Sequence, residues 1–330
     1  NQQVKEMLGN KIIRESSSPF SSNPLMVTKK DGTKRFCVDF RTLNSNTIKD
    51  TYPLPNVEEM LDQFQGCRYF TQLDLASGYW GIPMHPEDIE KTAFATPKGK
   101  YEFVVMPFGL VNAQATFQRS MDKLILQLRN EGTEGVDAYV DNIIIYSQTF
   151  EEHAHTLEKV FSMAEKANLS LRSDKCEFAK PEVDFLGFSV NGKEIKPTLD
   201  NVAKVLQFPQ PSTRKKLQSF LGVANFNRRF IKDYSQVVQP LTSMTSSKCN
   251  FEWGDDQEKA FQKLKECISK APSLRLADWS KPFHIQTDAS DIAVGAVLFQ
   301  KGDKGEHYPL AYHSKTLNNA EKKWSATEKE

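Results

Sequence analysis

No stretch of the 330-residue sequence runs to about 18 consecutive apolar residues, the length a membrane-crossing helix needs. The opening residues Asn1-Gln2-Gln3-Val4-Lys5 carry no secretory hydrophobic region. A soluble, intracellular, cytoplasmic protein without a membrane partner is therefore expected. Cysteine is sparse: Cys37, Cys67, Cys176, Cys249 and Cys267 are scattered, odd in number and form no Cys-x-x-Cys pair. Neither a disulfide framework nor a zinc cage is indicated, and these side chains read as reduced structural thiols.

An excess of one charge is missing too, since 43 basic and 42 acidic side chains leave a formal net charge of +1. The average hides a segregation. Ala203 to Lys232 contains no acid at all, while Lys204, Arg214, Lys215, Lys216, Arg228, Arg229 and Lys232 supply seven positive charges. Such a block neutralises phosphates and releases counterions, which predicts nucleic-acid binding that weakens with salt and is largely blind to sequence. Phe220, Phe226 and Phe230 interleave with the charges and are expected to anchor the helices beneath. The competing reading is a solvated helix face.

What is present is a pair of acidic turns, in a chain long enough for two or more cores. Ala138-Tyr139-Val140-Asp141-Asn142-Ile143-Ile144-Ile145-Tyr146 sets a carboxylate at a turn between two strand halves rich in Val, Ile and Tyr. Earlier, Tyr69-Phe70-Thr71-Gln72-Leu73-Asp74-Leu75 ends a strand-like segment, and Ala76-Ser77-Gly78-Tyr79 begins a turn. If the two strands are neighbours in one sheet, Asp74 and Asp141 converge on one metal pair. Two divalent cations held by carboxylates would activate a primer hydroxyl and stabilise a leaving pyrophosphate, which is polymerase chemistry.

Four ordered segments carry a family resemblance: Leu73-Asp74-Leu75-Ala76-Ser77-Gly78-Tyr79-Trp80; Met106-Pro107-Phe108-Gly109-Leu110 with Asn112-Ala113; Tyr139-Val140-Asp141-Asn142; and Phe185-Leu186-Gly187-Phe188. In order and spacing the chain resembles a reverse transcriptase of a gypsy-type long-terminal-repeat retrotransposon, part of a Pol polyprotein, from Ile12-Ile13-Arg14 to Glu330. The resemblance implies an RNA-directed DNA polymerase of α+β class, a right hand of fingers, palm and thumb with a truncated ribonuclease H-like α/β segment at its C-terminus. It divides the chain into fingers and palm (1–195), a thumb-like helical region (196–246), a connecting segment (247–281) and the incomplete ribonuclease H-like part (282–330). It implies an RNA template, a DNA primer strand and deoxynucleoside triphosphates as partners, and two Mg2+ ions, with Mn2+ as a substitute, on Asp74, Asp141 and the Leu75 backbone. The oligomeric state stays open.

By the same resemblance, Lys30, Arg35, Ala76, Ser77, Gly78, Tyr79, Phe108 and Gly109 bind the incoming nucleotide. Tyr79 lies beneath its sugar, where a ring would clash with a ribose 2′-hydroxyl. Phe185, Leu186 and Gly187 hold the primer end, and Arg214, Lys215, Lys216, Arg228 and Arg229 grip primer and template. Asp288, in Phe283-His284-Ile285-Gln286-Thr287-Asp288, and Glu330 would be the first two carboxylates of a ribonuclease H site. With the remaining acids absent, no ribonuclease H activity is expected. Asn142 departs from the family motif, which has Asp there; a neutral carboxamide weakens metal binding and predicts slow or undetectable polymerisation. A catalytically silent nucleic-acid-binding remnant is the alternative, and a structural protein keeping only the fold is the third reading.

Further segments carry local structural signals. Lys29 to Asn44, turning at Asp31-Gly32, predicts a two-stranded flap closed by Asp39-Phe40-Arg41-Thr42-Leu43-Asn44. After Pro53-Leu54-Pro55, the spacing of Val57, Met60, Leu61 and Phe64 predicts a helix, as does that of Phe117, Met121, Leu124 and Leu128 over about 113–128. His153 and His155 fall on different sides of a helix marked by Leu157, Val160, Phe161 and Ala164, and both are expected at the surface. Helices are expected between Pro209 and Ser247, and another from about Gln257 to Lys270.

Overall fold

The computed structural model describes residues 2–28, 32, 34–75, 78–247 and 249–329, without the side chain of Arg35. Lys30, Ala76, Ser77, Glu330 and the Arg35 side chain, all singled out by sequence, therefore lie outside the described residues. The chain divides into two units, residues 1–56 with 69–180 and residues 57–68 with 181–330.

In the first unit, runs of β-branched and aromatic residues, which suit a pleated surface, form the strands. These are β1 (Ile13–Glu15), β2 (Asn23–Thr28), β3 (Lys34–Asp39), β4 (Tyr69–Asp74), β5 (Phe94–Thr96), β6 (Gly99–Phe103), β7 (Val136–Tyr139), β8 (Asn142–Ser147) and β9 (Glu177–Lys180). β2 and β3 pair as the expected flap but lie nearer the N-terminus than predicted, from Asn23 opposite Asp39, with Arg41–Ser45 helical and Asp31 of the expected turn outside the described residues. A three-stranded sheet runs β1-β6-β5, and the central four-stranded sheet runs β7-β8-β4-β9. β8 is apolar on both sides, with Ile143, Ile144 and Ile145 fully buried.

Two helices cover that sheet. Ala113–Asn130 buries Phe117, Met121, Ile125 and Leu128 in one cluster with Leu73, Ile143 and Ile145. Phe150–Lys166 opens with a capping box, in which the Thr149 hydroxyl accepts from Glu152 N–H and Glu152 accepts from Thr149 N–H. That cap sets the helix phase and turns His153, Thr156, Val160 and Met163 inward. His153 is thus 1% exposed, correcting the surface expectation, while His155 is exposed. The correction has a physical cause: two residues apart, the histidines must face differently, but only the cap decides which one meets the sheet. His153 bridges two strands, 2.7 Å from Thr71 Oγ1 of β4 and 2.9 Å from Ser147 Oγ of β8, and burial pulls its pKa down.

The second unit begins with helix Val57–Asp62, which buries Met60 and Leu61 as its spacing predicts, with Phe64 buried just beyond. Strands β10 (Val183–Phe185), β11 (Phe188–Val190), β12 (Glu194–Pro197) and β13 (Leu274–Arg275) pair antiparallel in that order. Helices Leu199–Leu206, Arg214–Asn225, Tyr234–Ser243 and Asp255–Ser269 share a core around Leu217, Phe220, Leu241, Phe261 and Leu264. β14 (His284–Ala289), β15 (Ala293–Lys301) and β16 (His307–Thr316) form an antiparallel meander. The architecture is α+β.

Candidate active site

The site grows out of one register. β4 and β8 pair antiparallel so that Asp74 stands opposite Asn142, and Tyr139 pairs with Asn142 across the β7–β8 hairpin. Between Tyr139 and Asn142 the chain turns in two residues, Val140 and Asp141, which puts Asp141 beside the end of β4. There Leu75 N–H donates to the Asp141 carbonyl at 3.1 Å. Asp74 and Asp141 both line a cleft of about 670 Å³, with Leu75, Gly78, Tyr79, Trp80, Phe108, Phe36, Lys34, Arg172 and Lys175. The two distant acids of the sequence are neighbours.

The turn is strained. Val140 adopts φ +54°, a left-handed conformation that two-residue hairpins usually give to glycine and that a β-branched side chain resists by about 1–3 kcal/mol. It is held because Val140 is buried in the core and its N–H donates to Gln118 Oε1 at 2.7 Å.

Both acids already have positively polarised partners within the protein. Asp74 is faced by Lys175 Nζ at 3.7 Å and Arg172 Nε at 4.0 Å, two positive groups drawn to a carboxylate that is 22% exposed. Asp141 is exposed, and Asn142 presents its amide to it, with Nδ2 3.5 Å from Asp141 Oδ1. The Asn142 oxygen accepts from Gln72 Nε2 at 3.3 Å. Among the described residues no group of three or more His, Cys, Asp or Glu gathers as a metal cage. Two hard carboxylates and a backbone carbonyl suit a divalent cation of the Mg2+ type.

Beneath the acids lies an aromatic floor. Tyr79 packs edge-on against Phe108 and Phe117, with ring centroids 5.0 and 5.2 Å away. Burial, then the charge of Asp141, raises the Tyr79 pKa and keeps the phenol neutral. Gly78 is required by close approach, since a Cβ there would fall 2.7 Å from Phe117 Cζ. Phe108 and Gly109 sit in a loop braced by two asparagines. Asn44 Nδ2 donates to Gly109 O at 2.8 Å while its oxygen accepts from Val111 N–H, and Asn112 ties to Ile48 and Asp50.

The other candidates belong to the second unit. Phe185, Leu186, Gly187 and Phe188 form the β10–β11 hairpin, with positive φ at both Leu186 (+49°) and Gly187 (+89°). Lys215, Lys216 and Arg228 are exposed. Arg214 is turned to scaffold use, donating to the Met244 carbonyl at 3.3 Å and to the Cys249 carbonyl. The Arg229 side chain is 18% exposed and lies 3.9 Å from Glu58. Asp288 is exposed on β14 opposite Gly295. Sequence reasoning missed Gln118, Arg172, Lys175 and the bracing role of Asn112. Only the basic pair following Leu171 offered a signal, as isolated charges near the end of the central sheet.

Residues 27–190 match the family model of reverse transcriptase (RNA-dependent DNA polymerase), and residues 253–330 match the RNase H-like domain found in reverse transcriptase. The retrovirus-related Pol polyprotein from transposon 297 of Drosophila melanogaster is 42% identical over 99% of this chain, which covers 31% of that protein. The transposon Tf2-7 polyprotein of Schizosaccharomyces pombe is 38% identical over the whole chain, which covers 24% of it. The chain thus spans about a quarter to a third of the length of these curated relatives. Among solved structures, a foamy viral protease-reverse transcriptase in complex with double-stranded DNA matches 99% of this chain and 57% of its own, with TM-score 0.89 and 27% identity. The same enzyme with an RNA/DNA hybrid matches 99% of this chain and 44% of its own, with TM-score 0.83 and 27% identity. Residues 27–190, which hold the acid-bearing hairpin, thus belong to the reverse transcriptase family, with an RNase H-like domain following in sequence, and the chain as a whole is similar to the Pol polyproteins of transposons.

Proposed function

We propose that this chain carries out template-directed nucleotidyl transfer, extending a DNA primer on an RNA template in the cytoplasm, as the polymerase of a gypsy-type element. The observation that carries this reading is the β4–β8 register, which brings Asp74 and Asp141 to one cleft beside Tyr79 and Phe108. Asp74, Asp141 and the Leu75 backbone would hold the Mg2+ pair. When bound, those ions would lower the pKa of the primer hydroxyl and stabilise the pyrophosphate leaving group. Lys34 at the cleft wall supplies positive charge toward the triphosphate, Tyr79 walls off a ribose 2′-hydroxyl, and exposed Lys215, Lys216 and Arg228 take the phosphate backbone. The division into fingers and palm, thumb, connection and ribonuclease H-like part belongs to the same proposal.

Asn142 impairs the chemistry in this copy. It removes one anionic ligand, and its amide donates toward Asp141, competing for an oxygen a metal would use. A second reading draws on that contact together with the two cations beside Asp74: the acids are partly neutralised without metal, which suits a protein that binds template and primer but does not extend them. Primer extension on an RNA template in Mg2+ and in Mn2+ separates the two. Asn142→Asp is expected to raise extension by about a hundred-fold or more, the scale of one electrostatic group at a reacting centre. A folded, template-binding Asn142→Asp protein that stays inert would overturn the polymerase reading and leave the silent binder.

A further inference from the structure

We infer that Gln118 is a positioning residue for the Asp141 carboxylate, acting through the Val140 backbone, with Asp122 anchoring its carboxamide. This rests on the proposed metal role of Asp141. Gln118 is fully buried in the middle of helix Ala113–Asn130, where an uncharged polar side chain persists only if its hydrogen bonds are made. They are all made, and each bears on the acidic turn. Oε1 accepts from Val140 N–H at 2.7 Å, and Nε2 donates to the Ala138 carbonyl at 3.0 Å and to Asp122 Oδ1 at 2.8 Å.

The carboxamide therefore grips the hairpin on both sides of Tyr139, one residue before Asp141. Its orientation is forced. The Ala138 carbonyl and the Asp122 carboxylate are both acceptors, so both must meet the NH2 group, which leaves the oxygen for the Val140 N–H. Asp122 is itself held, accepting from the Tyr52 hydroxyl at 2.6 Å, and that bond raises the Tyr52 pKa. Because Val140 sits at φ +54°, the turn has other conformations open to it once the Val140 N–H is released. Asp141 would then swing out of line with Asp74. Neither Gln118 nor Asp122 lines the cleft, so neither touches a reacting atom.

The test uses the full chain and its Asn142→Asp version. Gln118→Met keeps the volume and deletes all three bonds; Asp122→Leu removes one of the carboxamide's two acceptors and loosens it, while Asp122→Asn keeps an acceptor for Nε2. Hydrogen exchange is expected to quicken at least tenfold at residues 139–142 in Gln118→Met and Asp122→Leu, with residues 70–73 of β4 unchanged and Asp122→Asn close to the parent. In the Asn142→Asp background, Gln118→Met should weaken Mn2+ binding, read by electron paramagnetic resonance, about tenfold. It should lower kcat by a similar factor and leave KM for template-primer unaltered. Exchange that quickens evenly across the unit, or not at all at 139–142, overturns the inference, as does unaltered Mn2+ affinity where the turn has loosened. If Asn142→Asp alone takes up no Mn2+ and extends nothing, the polymerase reading falls, and the exchange data still decide whether Gln118 holds the turn.

Discussion

Asp74 and Asp288 both stand at or next to the end of a strand, β4 and β14, and only Asp74 makes a site with its cross-strand neighbour. Asp74 on β4 faces Asn142 in register, next to a turn that carries Asp141, with two cations within 4.0 Å and an aromatic floor below. Asp288 on β14 faces Gly295, and the described acid that shares its cavity of about 370 Å³, Asp233, comes from a loop rather than a partner strand. Strand geometry is the same in both places. The difference lies in what the register delivers opposite the acid, a polar hairpin end in one case and a residue with no side chain in the other.

The sharpest way to test that contrast is to remove each acid in the Asn142→Asp background. Asp74→Asn should abolish primer extension, a loss of about a hundred-fold or more, whereas Asp288→Asn should leave it unchanged in the same assay. Equal losses would erase the distinction. A smaller effect separates the supports beneath the two strands. Phe117, 1% exposed under Gly78 and Tyr79, should cost about 3–5 kcal/mol as Phe117→Ala, while Ile285→Ser on β14, 71% exposed, should stay within about 0.5 kcal/mol in urea unfolding.

The smallest expected effect concerns pH. His153 has a folded-state pKa held below its unfolded value by burial between Thr71 and Ser147. Its neutral form is the one the fold accepts. Its stabilising contribution is therefore complete above the unfolded value of about 6.5 and is lost as pH falls below it. Urea midpoints measured from pH 7.5 to 5.5 should fall, and the fall should be shallower in His153→Gln. An equal slope in both proteins would assign the pH dependence to other groups.

Much of this was legible from residues alone, for reasons that can be named. The flap, the helix over 113–130 and the acidic hairpin were visible because period and turn chemistry are local properties. The convergence of Asp74 and Asp141 was an inference about sheet order that local pattern does not fix. His153 was misplaced because a cap, not spacing, sets the helix phase. Gln118 was invisible since it adjoins Phe117 and reads as the polar flank of an apolar stripe. In the basic block, sequence could not tell exposed Lys215 from Arg214, whose guanidinium satisfies carbonyls about thirty residues further along, at Met244 and Cys249.

Three consecutive isoleucines fill β8, all with no exposed surface. Sliding that strand by one place would swap one isoleucine for another on each face, so hydrophobic content alone cannot say which alignment with β4 is correct. The alignment must be pinned by polar groups that join the two strands: Gln72 of β4, which donates to the Asn142 oxygen at 3.3 Å, and His153, which bridges Thr71 of β4 and Ser147 of β8. A one-residue insertion between Ile143 and Tyr146 would then leave an oily, well-filled interior and carry the carboxylates out of step, an inactive protein that unfolds almost normally.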